Sequence, residues 1–226
     1  MLLHIENVLS QEELLNIQQL FKQADWVDGR VTAGYQSSAV KNNRQLAENS
    51  PLAVEMGDLI LRALERCPQF TSAALPRRIF PPLFNSYATG MQFGYHVDNA
   101  IRGSTDRMRT DLSVTLFLSD PADYQGGELV IEDTYGTHHI KLPAGDLVLY
   151  PASSLHQVTP VTHGTRNACF FWIQSMVRDD AQRRLLYDMD QSIIALHQQQ
   201  SNSLENPALL RLSGCYHNLL RFWVDV

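Results

Sequence analysis

Cysteine is scarce in this 226-residue chain: Cys67, Cys169 and Cys215 stand far apart, and no CxxC pair exists. That excludes a disulfide framework and a thiolate zinc site, and it suits a reducing cytoplasm. No apolar run approaches the roughly 20 residues that a membrane-spanning helix needs. The opening residues, Met-Leu-Leu-His-Ile-Glu-Asn, have neither the basic stretch nor the apolar core of a signal peptide. A cytoplasmic protein with no membrane partner is expected. Basic charge is short too: 18 Lys and Arg stand against 24 Asp and Glu, a formal net charge of -6. Binding to a phosphate backbone favours the opposite balance, so no nucleic-acid partner is expected. The motifs GxSxG, HExxH and the phosphate-binding loop are missing, which removes the common hydrolase, zinc-protease and NTPase readings. No repeat, low-complexity tract or long linker interrupts the chain.

What is present is a change of hydrophobic period. Ser10 with Glu13 makes a capping box, and Leu14, Ile17, Leu20, Phe21 and Ala24 form one apolar stripe, predicting a helix over 10–24. A second helix is predicted over 51–66, with Pro51 in its first turn. Between them, 28–49 is polar with weak signals. From about residue 78 the period becomes two. Leu112, Val114, Leu116 and Leu118 alternate with Asp111, Ser113 and Thr115, and Gly126-Gly127, Gly136, Gly145 and Gly164 each precede a short apolar segment. Short strands punctuated by glycine predict an antiparallel sandwich or barrel, the last strand over 166–173. After Ser175 the period is helical again, over 179–199 and 207–222, with Leu185, Leu186, Met189, Ile193, Ile194, Leu209, Leu212 and Tyr216 among the apolar positions. The expected division is an N-terminal helical and mixed region at 1–77, a catalytic β core at 78–176 and a helical segment at 177–226.

The chemistry concentrates in Gly94-Tyr95-His96-Val97-Asp98. On a strand, His96 and Asp98 point to one face, where imidazole and carboxylate can share a metal ion. His156 is the natural third ligand from another strand. Two His and one carboxylate on one side of an ion leave positions open, the pattern of non-haem Fe(II) oxygenases. Arg166 follows in a strongly apolar strand, Ala168-Cys169-Phe170-Phe171-Trp172. A guanidinium aimed into such a barrel calls for an anion, and bidentate pairing with a carboxylate suits it best. A 2-oxo diacid that chelates the metal and reaches Arg166 would supply one.

These residues carry a resemblance. His96-x-Asp98, His156 and Arg166 are similar to the ligand and anchor pattern of the Fe(II)/2-oxoglutarate dioxygenases. Tyr87-x-x-Gly90-x-x-Phe93-x-x-His96, Tyr124-x-Gly126-Gly127-Glu128-Leu129, Gly145-Asp146-Leu147-Val148-Leu149-Tyr150-Pro151 and Leu155-His156-x-Val158-x-Pro160 resemble the prolyl 4-hydroxylase-like branch. Trp26-Val27-Asp28-Gly29-Arg30, Lys41-Asn42-Asn43 and Trp172-Ile173-Gln174-Ser175-Met176 extend the likeness to bacterial PKHD-type hydroxylases over nearly the whole chain. The resemblance implies a double-stranded β-helix (jelly-roll) barrel of eight strands. It implies His96, Asp98 and His156 as ligands of Fe(2+), Arg166 as the anchor of the cosubstrate 2-oxoglutarate, O2 as second cosubstrate, and L-ascorbate (vitamin C) as reductant. The implied reaction is hydroxylation of an unactivated C–H bond with release of succinate and CO2.

Other residues stay open. Tyr87 either touches 2-oxoglutarate or sits half-buried with its hydroxyl on the backbone. His138 and His139 face opposite sides of one strand, and His4, His163, His197 and His217 fall in termini, turns or helices; none is expected as a ligand. Gly126 and Gly127 suit a turn or bulge. Arg102, Arg107 and Arg109 form a polar loop that either recognises an acidic substrate or is simply solvated. The apolar faces of the C-terminal helices bury against the barrel or against a second copy in a homodimer. Two rival functions remain: a non-catalytic barrel binding metal or a small ligand as a sensor or interaction module, and an iron enzyme on a cupin-like barrel without an oxo acid. The substrate, whether peptide, amino acid or small metabolite, is not written in these motifs.

Overall fold

The computed structural model describes residues 1–32, 35–199 and 206–225. Two antiparallel sheets carry the fold. In the larger, the strand order is β1 (Leu3–Ile5), β14 (Leu147–Pro151), β10 (Leu112–Phe117), β16 (Val161–Ser175), β6 (Leu83–Ala88), β4 (Arg44–Leu46) and β2 (Trp26–Asp28). Both β5 (Pro76–Ile79) and β11 (Tyr124–Gly126) also pair with the long β16. The smaller sheet runs β13 (Gly136–Ile140), β12 (Leu129–Asp133), β15 (Leu155–Val158), β7 (Gln92–His96) and β3 (Lys41–Asn42). A separate hairpin joins β8 (Ile101–Arg102) to β9 (Met108–Arg109).

Helix α1 (Gln11–Phe21) begins at Ser10, whose hydroxyl accepts from the Glu13 amide while the Glu13 carboxylate accepts from the Ser10 amide. Both ends of the capping box are therefore made. Next come the single turn α2 (Tyr35–Ser38), α3 (Pro51–Glu65), which starts on the Ser50 side chain with Pro51 in its first turn, and α4 (Pro68–Ala74). The seven-residue α4 and the strands β1 to β4 lie in stretches where sequence periodicity is silent. A two- or three-residue strand has no period to read.

The main core lies between α1, α3 and the outer face of the large sheet. Ile17, Met56, Ile60, Phe84, Leu112, Leu116, Leu147 and Leu149 are all buried there. The alternation along β10 assigns its faces: Leu112, Val114 and Leu116 turn to this helical layer. Ser113 and Thr115, though polar, are buried as well, because they line the cleft between the sheets. The last strand begins earlier than the apolar run suggests, at Val161 rather than Arg166. Gly164 lies inside it at φ +75, where a Cβ would meet the Asp123 carbonyl at 2.1 Å. Glycine thus lets β11 cross the strand closely instead of ending it. As expected, Gly126 and Gly127 serve a bulge: both have positive φ, and the β11–β16 register shifts between Gln125 and Gly126.

At the C-terminus, α5 (Asp180–Gln199) and α6 (Pro207–Trp223) pack on each other. Leu186, Val177 and Leu75 are buried there with Tyr216, Leu219, Leu220 and Trp223 around them. These helices thus bury apolar surface against their own chain. The sequence stripe is only partly inward, since Leu185, Ile194 and Leu212 are exposed. No helix among the described residues is long and apolar enough to cross a membrane.

Ile60 is fully buried between α3 and the sheet. Ile60→Ala should therefore cost about 2–5 kcal/mol, the usual price of an unfilled core cavity. Urea unfolding is the check, and a loss below about 1 kcal/mol would mean that this helix–sheet seam is not close-packed.

Candidate functional site

Between the sheets lies a cleft enclosing about 740 Å³ of space, counted out to its open mouth. His96, Asp98, His156 and Arg166 all line it, as does Tyr87. His96 is the last residue of β7, and His156 lies directly across from it on β15. Asp98 does not continue the strand as its alternation suggests; it sits two residues past the end of β7. The carboxylate still lies beside the histidines. One ligand atom from each of His96, Asp98 and His156 can be chosen so that all three lie within 4.8 Å of one another. His156 Nε2 is 3.8 Å from Asp98 Oδ2.

Neighbouring groups orient this trio. Nδ1 of His96 lies 2.8 Å from the Gly94 carbonyl, and Nδ1 of His156 lies 3.0 Å from the Ser154 carbonyl. A carbonyl oxygen only accepts, so each Nδ1 carries a hydrogen, and in the neutral ring the lone pair is then on Nε2. Ser113 Oγ donates to Asp98 Oδ2 at 2.6 Å, holding the carboxylate in place. The ring of His96 stacks on Phe93 with centroids 3.6 Å apart, and that of His156 meets Tyr150 edge-on at 5.2 Å. Burial, reinforced by the adjacent His156, pushes the His96 pKa down to about 4, so its imidazole is neutral at physiological pH. Metal ligation requires that neutral form.

Arg166 is not an exposed strand-edge residue. It is 1 % exposed, with its guanidinium carbon 5.4 Å from the ring centres of both Tyr87 and Phe117. Its Nε and Nη1 are buried with no hydrogen-bond partner among the described residues. An uncompensated buried cation is costly, so this donor pair fits a ligand carboxylate. Gly127 makes room for it: a Cβ there would lie 3.1 Å from Arg166 Cδ and 2.9 Å from Val161. Tyr87 is fully buried rather than half-buried, and burial raises its pKa to about 12. Tyr150 is pushed up as well, by burial and then by the Asp98 charge. Both phenols stay protonated.

The three arginines after Asp98 part company. Arg102 lines the cleft, whereas Arg109 forms a two-pronged pair with Asp111 and the Arg107 carbonyl accepts from Arg78. Arg109 is therefore a structural clamp and not a solvated loop residue. The other histidines lie outside the cluster. His4 pairs with Asp146, His138 with Asp133 and His139 with Glu128; His197 and His217 are on α5 and α6; His163 lies within β16 rather than in a turn. Sequence reasoning missed Ser113 and Gly127 as supports of the site. The polar phase of β10 in an otherwise apolar strand was the available signal for Ser113. Nothing local marked Gly127, because its partner is 39 residues away in sequence.

Known proteins resemble this chain along its whole length. Residues 82–174 match the 2OG-Fe(II) oxygenase superfamily and residues 180–225 match the PKHD-type hydroxylase C-terminal domain. A PKHD-type hydroxylase of Stutzerimonas stutzeri is 58% identical over 229 residues, and one of Xanthomonas campestris pv. campestris is 59% identical over 231. Both alignments cover 100% of each chain. Among solved structures, a Pseudomonas putida prolyl-4-hydroxylase superposes with TM-score 0.51 at 16% identity, covering 77% of this chain and 92% of its own. A Trichoplax adhaerens prolyl hydroxylase in complex with a hypoxia inducible factor peptide fragment gives 0.56 at 17%, covering 82% and 86%. At such identities the structural likeness establishes the fold, a jelly-roll of mainly β structure with flanking helices.

Ser113→Ala removes the one hydroxyl on Asp98 Oδ2 without touching a candidate ligand atom. Divalent-metal affinity should fall about 10- to 100-fold, the usual cost of losing an outer hydrogen bond at such a site. Calorimetric titration of the folded variant with Mn(II) would measure it, and unchanged affinity would show that Asp98 needs no support.

Proposed function

The chain belongs to the PKHD-type hydroxylases, 2-oxoglutarate-dependent dioxygenases of the 2OG-Fe(II) oxygenase superfamily, and on that premise we propose that His96, Asp98 and His156 hold Fe(2+) while Arg166 binds the far carboxylate of 2-oxoglutarate. The observation that carries this reading is one cleft with a His–Asp–His cluster and a buried guanidinium whose Nε and Nη1 have no hydrogen-bond partner among the described residues. Ferrous iron with 2-oxoglutarate and O2 supplies an oxidant able to hydroxylate an unactivated C–H bond, with succinate and CO2 as coproducts.

The protein's own residues do the rest. The two imidazoles, each fixed through Nδ1, leave Nε2 for ligation, and Ser113 holds the Asp98 carboxylate in place by donating to Oδ2. Arg166 fixes the cosubstrate's orientation by a charge-assisted pair in a site dry enough to make that pair strong. Tyr87 packs against the guanidinium and, staying neutral, is able to donate its hydroxyl hydrogen to the same carboxylate. Phe93, Tyr150 and Phe117 surround these groups with apolar surface that keeps bulk water away.

The substrate is a C–H bond of a peptide, amino acid or small metabolite. Residues 78–176 serve as the catalytic core, to whose two sheets the N-terminal region adds β1 to β4, while α5 and α6 follow it in the chain. Ascorbate serves as reductant for oxidised iron, and the exposed Leu185, Ile194 and Leu212 offer the contact for a homodimer in the cytoplasm. Gel filtration at the mass of one chain, 25.6 kDa, would count against the dimer. Sustained turnover that does not respond to added ascorbate would remove the reductant from the scheme.

Anaerobic Fe(II) with 2-oxoglutarate should give wild-type protein a weak visible charge-transfer band. The band should be lost in His96→Ala, and 2-oxoglutarate affinity should fall at least about tenfold in Arg166→Ala. No band in well-folded, iron-loaded wild type would sink the oxo-acid assignment.

A further inference from the structure

Two cations in the cleft have no part in the scheme above. Lys41, on β3, is 6 % exposed; its ammonium donates to Gln45 Oε1 at 3.0 Å and lies 5.1 Å from the centre of the Phe93 ring. Since Phe93 stacks on His96, Lys41 is one ring away from the ligand set. Arg102, on β8, lies 4.3 Å from the centre of the Trp172 ring and 5.2 Å from that of Phe80, with Glu48 at 3.5 Å. Lys41 is also 5.9 Å from the Phe170 ring, and Phe170 and Trp172 are neighbours at 5.6 Å. The two cations therefore share one aromatic wall, and both line the cleft.

That wall is not within reach of a diacid held by Arg166. Arg166, Phe170 and Trp172 point to the same face of β16, and at about 3.3 Å per residue Trp172 is about 20 Å along the strand from Arg166. A five-carbon diacid is far shorter. Charge points the same way. A divalent iron, the Asp98 carboxylate, a doubly charged oxo acid and Arg166 sum to zero. Lys41 and Arg102 against Glu48 then make that end of the cleft net positive, which favours an anionic ligand. Burial, and after it the like charge of Arg102, hold the Lys41 pKa down to about 8.

Resting on the function proposed above, we infer that Lys41 and Arg102 form the recognition site for the substrate that is hydroxylated, and that this substrate carries a carboxylate or phosphate beside an apolar or aromatic body. The anion pairs with the two cations while the body lies along Phe170 and Trp172. This places the anion of the substrate one ring from the ligand set and leaves the Arg166 end of the cleft to the cosubstrate. Lys41 and Arg102 are specificity residues, not catalytic ones.

The test uses full-length protein loaded anaerobically with Fe(II) and 2-oxoglutarate, titrated calorimetrically with benzoate, phenyl phosphate and the neutral benzamide. At least one anion should bind saturably with a Kd of about 1 mM or tighter, and benzamide should not. Lys41→Met and Arg102→Met should each weaken that anion at least about tenfold and change 2-oxoglutarate affinity less than about twofold. Glu48→Gln, a change at a partly exposed site that spares the fold, should tighten the anion about two- to threefold. Absence of anion binding, equal binding of benzamide, unchanged anion affinity in both Met variants, or no tightening in Glu48→Gln would each overturn the inference. A parallel loss of 2-oxoglutarate affinity would reassign the cations to the cosubstrate. If wild type gives no charge-transfer band, the oxo-acid reading has failed on its own. The same titrations of unloaded wild type and Met variants then still decide whether Lys41 and Arg102 bind anions.

Discussion

Antiparallel pairing of β7 with β15 sets His96 directly across from His156, and the arrangement of the site follows from that register. A slip of one residue would send one imidazole to the opposite face of the sheet and dismantle the cluster. The register is held from both sides. β12 pairs with β15 through Leu129, Val130, Ile131 and Glu132, while β3 pairs with β7 at Lys41 and Asn42. The pairing also brings ring against ring, so the histidines lie in a packed aromatic environment rather than on a polar surface. Burial then keeps His96 neutral, the state that a metal ion needs.

A second constraint is the burial of Arg166. A guanidinium at 1 % exposure between Tyr87 and Phe117 is destabilising unless an anion meets it. Two glycines shape its surroundings, both at positive φ: Gly127, where a Cβ would press on Arg166, and Gly164 within β16, where a Cβ would meet the Asp123 carbonyl. The large, apolar core on the other face of the same sheet carries the stability that permits this. Ile17, Met56, Ile60 and Phe84 are wholly buried there, away from the cleft. One sheet thus presents an ordinary hydrophobic layer outward to the helices and a charged, aromatic layer inward to the ligands.

The cleft is graded along β16. Its Arg166 end is sealed and suited to a small diacid, whereas its Trp172 end carries Arg102 at the open rim and Lys41 between the two. The hairpin of β8 and β9 brings Arg102 over Trp172, and Arg109 on the same hairpin clamps Asp111 at the start of β10. The hairpin thereby ties the mouth of the cleft to the strand that carries Ser113. Support of Asp98 and shaping of the entrance are mechanically connected through three residues of one strand.

Much of this was legible from residues alone, because its physics is local. A capping box marked α1, Pro51 marked α3, a period of two marked β10, and ligand chemistry and spacing grouped His96, Asp98, His156 and Arg166, which the structure places in one cleft. Where periodicity had too few residues to act, in α4 and in β1 to β4, the sequence was mute. Local alternation also misled in places: Asp98 lies past the end of its strand, β16 runs through Gly164, and Arg109 is a clamp. Leu185, Ile194 and Leu212 match a helical stripe yet face outward, since a stripe states which residues are alike and not what they pack against. Sequence determined the kind of chemistry, because donor types and their spacing are properties of short segments. Only the tertiary structure decided which side chains converge, since Ser113 on Asp98, Gly127 beneath Arg166, and Lys41 and Arg102 over neighbouring rings join distant segments that no local pattern encodes.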